Sequence, residues 1–450
     1  SQGSIKAQTL MLRGGVGLDG YLSRDDNNTL WGLLNNTHVN LGEGSVTGDM
    51  NTTVSYAVVG GGFVNTAAGG HAVVAGGQNN SAINMGATIS GGALNTSAGN
   101  YSSVGGGKSN TASGYYSVIS GGEENQVLQD YGVIAGGNRN DAANFAVVSG
   151  GASNIASGNY SSVGGGSYNN SAGDHSLIAG GVRGSALASG AAILGGLHNS
   201  AEAYASSVSG GYGNTATADY SSIGGGKWNT GSGNYASIGG GLNNKASSSN
   251  SRVGGGQFNH ASGQDSVVAG GAHNIANQSG SSVAGGISNS ALGLAASVSG
   301  GSQNTASADY ASIGAGQWNT AAGQWSTISG GYINWAKEIS ATVGGGQSNT
   351  AWSSGTVAGG TMNSAGGIFG TISGGNANLA TGSYSSVLGG KWNTAAANYS
   401  FIGGGSSNLT SGAYASVLGG YNNSANGMYS SVLGGQILTL TGSNSVGFNG

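Results

Sequence analysis

A fifteen-residue unit, seen cleanly in Ser103–Ser117 (SVGGGKSNTASGYYS), recurs as Ser162–Ser176, Ser222–Ala236 and Ser386–Ser400. Counting the last Gly of each Gly-rich turn gives twenty-six copies from Gly62 to Gly435. The steps are fifteen residues except two of fourteen, Gly137 to Gly151 and Gly346 to Gly360. An unbroken short period over most of a chain is the signature of a solenoid, in which each repeat buries its apolar face only against its neighbours.

Offsets from that Gly give the local structure. Three residues before it, every copy carries Val or Ile, among them Val104, Ile119, Val163 and Ile223. Five before lies a small residue, and six before an aromatic in fifteen copies. Small, then Val or Ile, then Gly at alternate positions predicts a strand with those residues facing inward and the aromatic row facing outward. Helix is excluded, because the unit is too short and too rich in Gly. Three residues after the Gly, twenty-four copies carry Asn, including Asn110, Asn125, Asn169 and Asn229; Gly184 and Leu438 are the exceptions. Ala follows two residues later in most copies, so a second short strand is expected there. A stacked column of amides can hydrogen-bond from coil to coil and cap turn groups, which makes the Asn row structural rather than catalytic. The fourteen-residue steps drop a residue beyond this Ala, so that segment reads as an exposed turn.

Composition narrows the class. Of 450 residues, 96 are Gly, none is Pro or Cys, and 6% are charged, against about 25% in ordinary domains. Collagen is excluded by the lack of a three-residue Gly period and of Pro. Fixed register argues against a disordered linker. A net charge of −4 gives no electrostatic case for nucleic acid or an anionic membrane surface. No run of eighteen apolar residues predicts a spanning helix, and no thiolate metal site is available. The chain begins at Ser1 without a signal peptide, as expected of a mature secreted product, an excised fragment or a processed subunit.

Residues 1–55 differ from the repeat domain, 56–450. They are richer in charge, with Arg24–Asn28 reading as a turn, Ser4–Leu12 as a strand and Thr29–Leu34 as a further apolar segment. They are expected to cap the solenoid or to dock onto another copy. In the docking version, Ser4–Leu12 completes the C-terminal coil of the next subunit by strand addition, giving a head-to-tail filament.

Gly107-Lys108-Ser109 resembles the end of a phosphate loop, but Ser102 stands where the first Gly is required. The six His are scattered and join no carboxylate and nucleophile at catalytic spacing. No catalytic, cofactor or metal residue is therefore assigned. Trp228, Trp318 and Trp392 share one outward row and are candidate contacts for a partner or a sugar. A flat Thr array for ice is poorly matched, since the row after Asn holds Gln126, Asp141, Ile155 and Lys245 as well as Thr66, Thr96 and Thr111.

The rhythm of Ser103–Ser117 resembles the head repeats of trimeric autotransporter adhesins of the YadA-like kind, over roughly residues 56–447. That resemblance implies a left-handed parallel β-roll with three chains side by side. The Gly-Gly-x-x-Asn pattern replaces the family's usual single Gly followed by Ala. The expectations are an all-β parallel β-solenoid or β-roll of about 26 coils and a non-enzymatic, cofactor-free rod on the cell surface or outside the cell. Its partners are expected to be other copies of itself, as a homotrimer or filament. The alternatives are an adhesin head or viral tail fibre recognising a glycan or host receptor, and an ice-binding solenoid.

Overall fold

The computed structural model describes residues 21–23, 29–30, 38–48 and 56–448. The chain divides into two units, Ser1–His198 and Asn199–Gly450. In both, the described residues form parallel coils of two short strands each, with no helix. The chain is a parallel β-solenoid with a fifteen-residue period.

One coil shows the rule for its unit. Ser103–Val104 pairs in register with Thr88–Ile89 before it and Val118–Ile119 after it. Thr111–Ala112 pairs likewise with Thr96–Ser97 and Gln126–Val127, and between the two strands Lys108 bridges Ala93 and Glu123. In the second unit Ser222–Ile223 and Thr230–Gly231 repeat the pattern. The strands alternate as period-two pleats: Ser102, Val104, Asn110 and Ala112 are buried, while Ser103 and Thr111 are half-exposed. Ile119 and Val163 lie in the same buried column, and Ile223 occupies its counterpart in the second unit. Burying one Val or Ile contributes about 1.5–3 kcal/mol, so each coil is thinly stabilised by itself and depends on its stacked neighbours.

The Gly-rich turn corrects one expectation. The middle Gly does not face inward: a Cβ built on Gly106 would meet nothing within 4 Å. The chain turns at the next residue, Gly107, where φ is +86°. A Cβ there would collide with the carbonyl oxygen of Gly122 in the next coil and sit 2.7 Å from Asn110 Nδ2. Accordingly Ala315 replaces the middle Gly in one coil, whereas Gly316 keeps the turn with φ +98°.

Two further corners hold non-Gly residues in the left-handed region, for example Tyr116 with φ 54° and Ser109 with φ 57°. Such a backbone costs an ordinary residue on the order of 1 kcal/mol. It also reverses a hydrogen bond. Strand amides donate to the following coil, as Ser103 N does to Ser117 O at 2.9 Å. Corner amides donate to the preceding one, as Tyr116 N does to Asn100 O at 3.0 Å and Ser109 N to Ala93 O at 2.9 Å. Each coil is thus bonded in both directions from a short stretch of chain.

The Asn column supplies the rest. Asn110 is buried; its Nδ2 donates to Gly106 O of its own turn at 3.0 Å and to Gly122 O of the next coil at 2.8 Å. Its Oδ1 accepts from Asn125 N at 3.0 Å. Asn125 and Asn169 repeat this set in the first unit, and Asn229 does so in the second. A side chain that satisfies its own amide and three backbone groups ties each turn to the next coil beside the bond from Lys108 N to Gly122 O.

The shorter steps leave the ladder intact. Val133–Ile134 pairs with Val147–Val148, and Thr342–Val343 with Thr356–Val357, across the fourteen-residue intervals. The i→i−3 turn bond persists as Ala146 N→Ala143 O at 3.2 Å, against Ser117 N→Gly114 O at 3.2 Å in a full coil. The missing residue comes out of the turn after the second strand, and side-chain alternation is preserved.

Parallel pairing also reaches upstream of Tyr56. His38–Asn40 pairs with Tyr21–Ser23 and, through Val39–Asn40, with Val58–Val59; Val46–Thr47 joins Thr29–Leu30 to Thr66–Ala67. Here Ser45 Oγ accepts from Asn65 N at 3.0 Å, taking the place of an Asn carbonyl. The expected strand Ser4–Leu12, the turn Arg24–Asn28 and the stretch 31–34 lie outside the described residues.

Candidate interaction surface

The left-handed corner six residues before the turn Gly presents the aromatic row as a ring-on-ring stack. In the first unit Tyr101, Tyr116, Tyr131, Phe145, Tyr160 and His175 follow one another at centroid distances of 5.2, 5.6, 4.7, 4.8 and 5.1 Å. Interplanar angles run from 3° to 24°. In the second unit Phe369, Tyr384, Tyr399, Tyr414 and Tyr429 do the same at 5.1, 5.0, 4.8 and 5.0 Å. Stacked pairs contribute about 0.5–1.5 kcal/mol each, enough to offset the strain of a bulky residue at positive φ.

The stacking decides what the surface can do. Within each ladder the ring faces are consumed by neighbouring rings, while the residues remain about half exposed. At one end Tyr101 lies over Gly86, whose added Cβ would come within 2.6 Å of the Tyr101 ring. A sugar that stacks on ring faces finds those faces occupied. Tyr115 thickens the ridge, meeting Tyr116 edge-on at 4.3 Å and Tyr101 at 5.9 Å. Its hydrogen bond with Tyr116, followed by burial, raises its phenol above the usual range.

The three Trp of the sequence reading sit at the other left-handed corner, two residues after the turn Gly, and all are exposed. They do not form one site. Trp228 and Trp318 are six coils apart and Trp392 a further five, about 29 and 24 Å at the usual strand spacing. Lys227 Nζ stands 4.2 Å from the Trp228 ring and Lys391 Nζ 3.8 Å from Trp392, while Trp318 tilts against Tyr332 at 5.5 Å. Each Trp is engaged by a neighbour in its own or an adjoining coil.

A tighter cluster went unrecognised in the sequence. Lys337 Nζ lies 4.2 Å from the Trp335 ring and 4.1 Å from the Trp352 ring, on the outer face of the second strand. The available signal was positional, since Lys337 and Trp352 occupy the same offset in successive coils.

Charge is local. Lys108 Nζ and Glu123 Oε1 are 3.0 Å apart, and Arg139 Nε pairs with Glu124. The hydrogen bond from Arg139, then its charge, hold the Glu124 carboxyl below the usual range. Beside them an open groove of ≈ 580 Å³ is lined by Ser109, Gln126, Asp141 and Ile155. Burial pushes the Asp141 carboxyl up, opposed by a hydrogen bond from Ala142. In the second unit Ser247 Oγ and His260 Nε2 are 2.9 Å apart on a strand face; burial, then the Lys245 charge, push that imidazole down. Among the described residues, no group of three or more His, Asp or Glu is placed to hold a metal ion, and no helix is long and apolar enough to cross a membrane. No family model matches the chain, and no curated protein matches it.

Proposed function

We propose that the protein is a non-enzymatic structural and adhesive rod of the cell surface or extracellular space, built into a fibre by association with copies of itself. The observation that carries this reading is the uniformity of the rows. Core and amide column repeat coil after coil, and the polar groups of the turns are satisfied between coils (Asn110, Asn229) rather than aimed at a ligand. A side-by-side homotrimer is the arrangement that the likeness to adhesin heads implies. Negative-stain microscopy of the purified chain tests the reading: long fibres are expected, and discrete particles of one size at every concentration would overturn it.

The Trp335–Lys337–Trp352 cluster favours a second reading, recognition of a receptor or an acidic glycan by an adhesin head or tail fibre. It breaks the uniform rows and joins two large aromatic surfaces to a cation. Glycan-array binding that is lost on Trp352→Ala, in a protein that forms no fibres, would move this reading ahead.

A further inference from the structure

We propose that each of the two aromatic ladders, Tyr101 to His175 in the first unit and Phe369 to Tyr429 in the second, is a lateral contact surface, and that its occupant is a second copy of this chain. The proposal rests on the fibre reading above and names the surface that makes the fibre.

Three observations point to a second copy. The first is area. In the first ladder the Tyr and Phe residues remain 37–54% exposed, and in the second 47–52%. With about 150–250 Å² per ring residue, six rungs leave on the order of 500–600 Å² facing outward. That is as large as the biggest apolar patch of a typical monomer and about two thirds of the roughly 800 Å² per partner of a stable interface. Tyr115, packed against the ridge, adds to it.

The second observation is geometric. Rungs about 5 Å apart leave no gap for a ring to intercalate, so contact must be edge to edge along the whole ladder. Only a partner with the same axial repeat meets every rung in the same way, and another copy has that repeat by construction. The third is that the ridge is not required for folding. At the same corner the solenoid accommodates Asn250, Ser340 and Ala295 at φ 58°, 54° and 50°. A corner that folds equally well with small residues leaves the exposed ring edges free to serve as a contact surface.

The test uses the full chain in sedimentation velocity over a wide concentration range. Tyr116, Tyr131 and Tyr160, or Tyr384, Tyr399 and Tyr414, are replaced together by Asn, which adopts this backbone readily, or by Phe. The intact chain and the Phe variants are expected to assemble, and each Asn variant to lose assembly or need at least about a hundredfold higher concentration. If the Asn variants fold and assemble like the intact chain, the ladders are not the interface and the fibre reading survives. If the intact chain stays monomeric throughout, both fall. Tyrosine nitration of the unmodified protein gives a readout independent of variant folding. Ladder tyrosines protected in assemblies and reactive after dissociation support the proposal, and equal reactivity in the two overturns it.

Discussion

At the scale of single residues, the fold turns on which atoms a turn can spare. Gly107 must be Gly because its Cβ would enter the next coil's carbonyl, whereas Gly106 faces open space. Gly107→Ala should therefore cost about 2–4 kcal/mol, from backbone strain and overpacking together. Gly106→Ala should stay within about 1 kcal/mol of the parent and tend to stabilise by restricting the unfolded chain. Equal denaturation midpoints for the two would show that the turn is assigned wrongly. Asn229→Ala removes a side-chain hydrogen bond from Gly225 O, Gly241 O and Asn244 N at once, with Gly241 O keeping the bond from Lys227 N. A loss of about 3 kcal/mol is expected, with hydrogen exchange rising in the adjoining coils and not throughout.

Asp141 gives a pH dependence of definite sign. Burial raises its folded carboxyl above the unfolded value, so folding favours the protonated form. The associated stability is present below the unfolded value near pH 4 and is lost as pH rises through the higher folded value. Asp141→Asn, matching Asn170 in the same row, should stabilise the first unit at pH 7 and have no such advantage near pH 3. Melting curves at the two pH values decide it; an equal shift at both would assign the effect to packing instead of charge.

At the scale of the coil, the two strands are fixed by register and the turn after them is not. Deleting Gly158, in the turn, imitates the natural fourteen-residue steps and should cost no more than about 1–2 kcal/mol. Deleting Ser162, in the strand, shifts the pleat by one and turns Val163 outward, which should unfold that coil. Amide exchange over residues 147–178 reports both; similar protection in the two variants would contradict the register argument.

The coil also shows what a sequence can reveal. Strands, inward Val or Ile, buried Asn and the forgiving turn were all readable, because each leaves a column at a constant offset. The middle Gly was misplaced, because alternation was extended past a corner that only its φ of +86° reveals. The outward aromatic row was readable, but its ring-on-ring stacking and the Lys337 sandwich were not, for a related reason. Offset says which residues share a row, but left-handed corners decide whether rings meet by face or by edge. Trp228, Trp318 and Trp392 share a row and still never meet.

At the scale of the whole molecule, the central claim is that copies of this chain associate side by side through an exposed aromatic ridge. Mass per unit length of the fibres, from scanning transmission electron microscopy, tests it most directly. With 43.2 kDa over 450 residues, one fifteen-residue coil weighs about 1.4 kDa. Stacked at about 4.8 Å, a single solenoid carries about 3 kDa per nanometre. The account predicts fibres at an integer multiple of that value, two or more, and no fibres at the same concentration when the ladder tyrosines become Asn. Fibres of about 3 kDa per nanometre, one solenoid thick with the ridge bare, would contradict it.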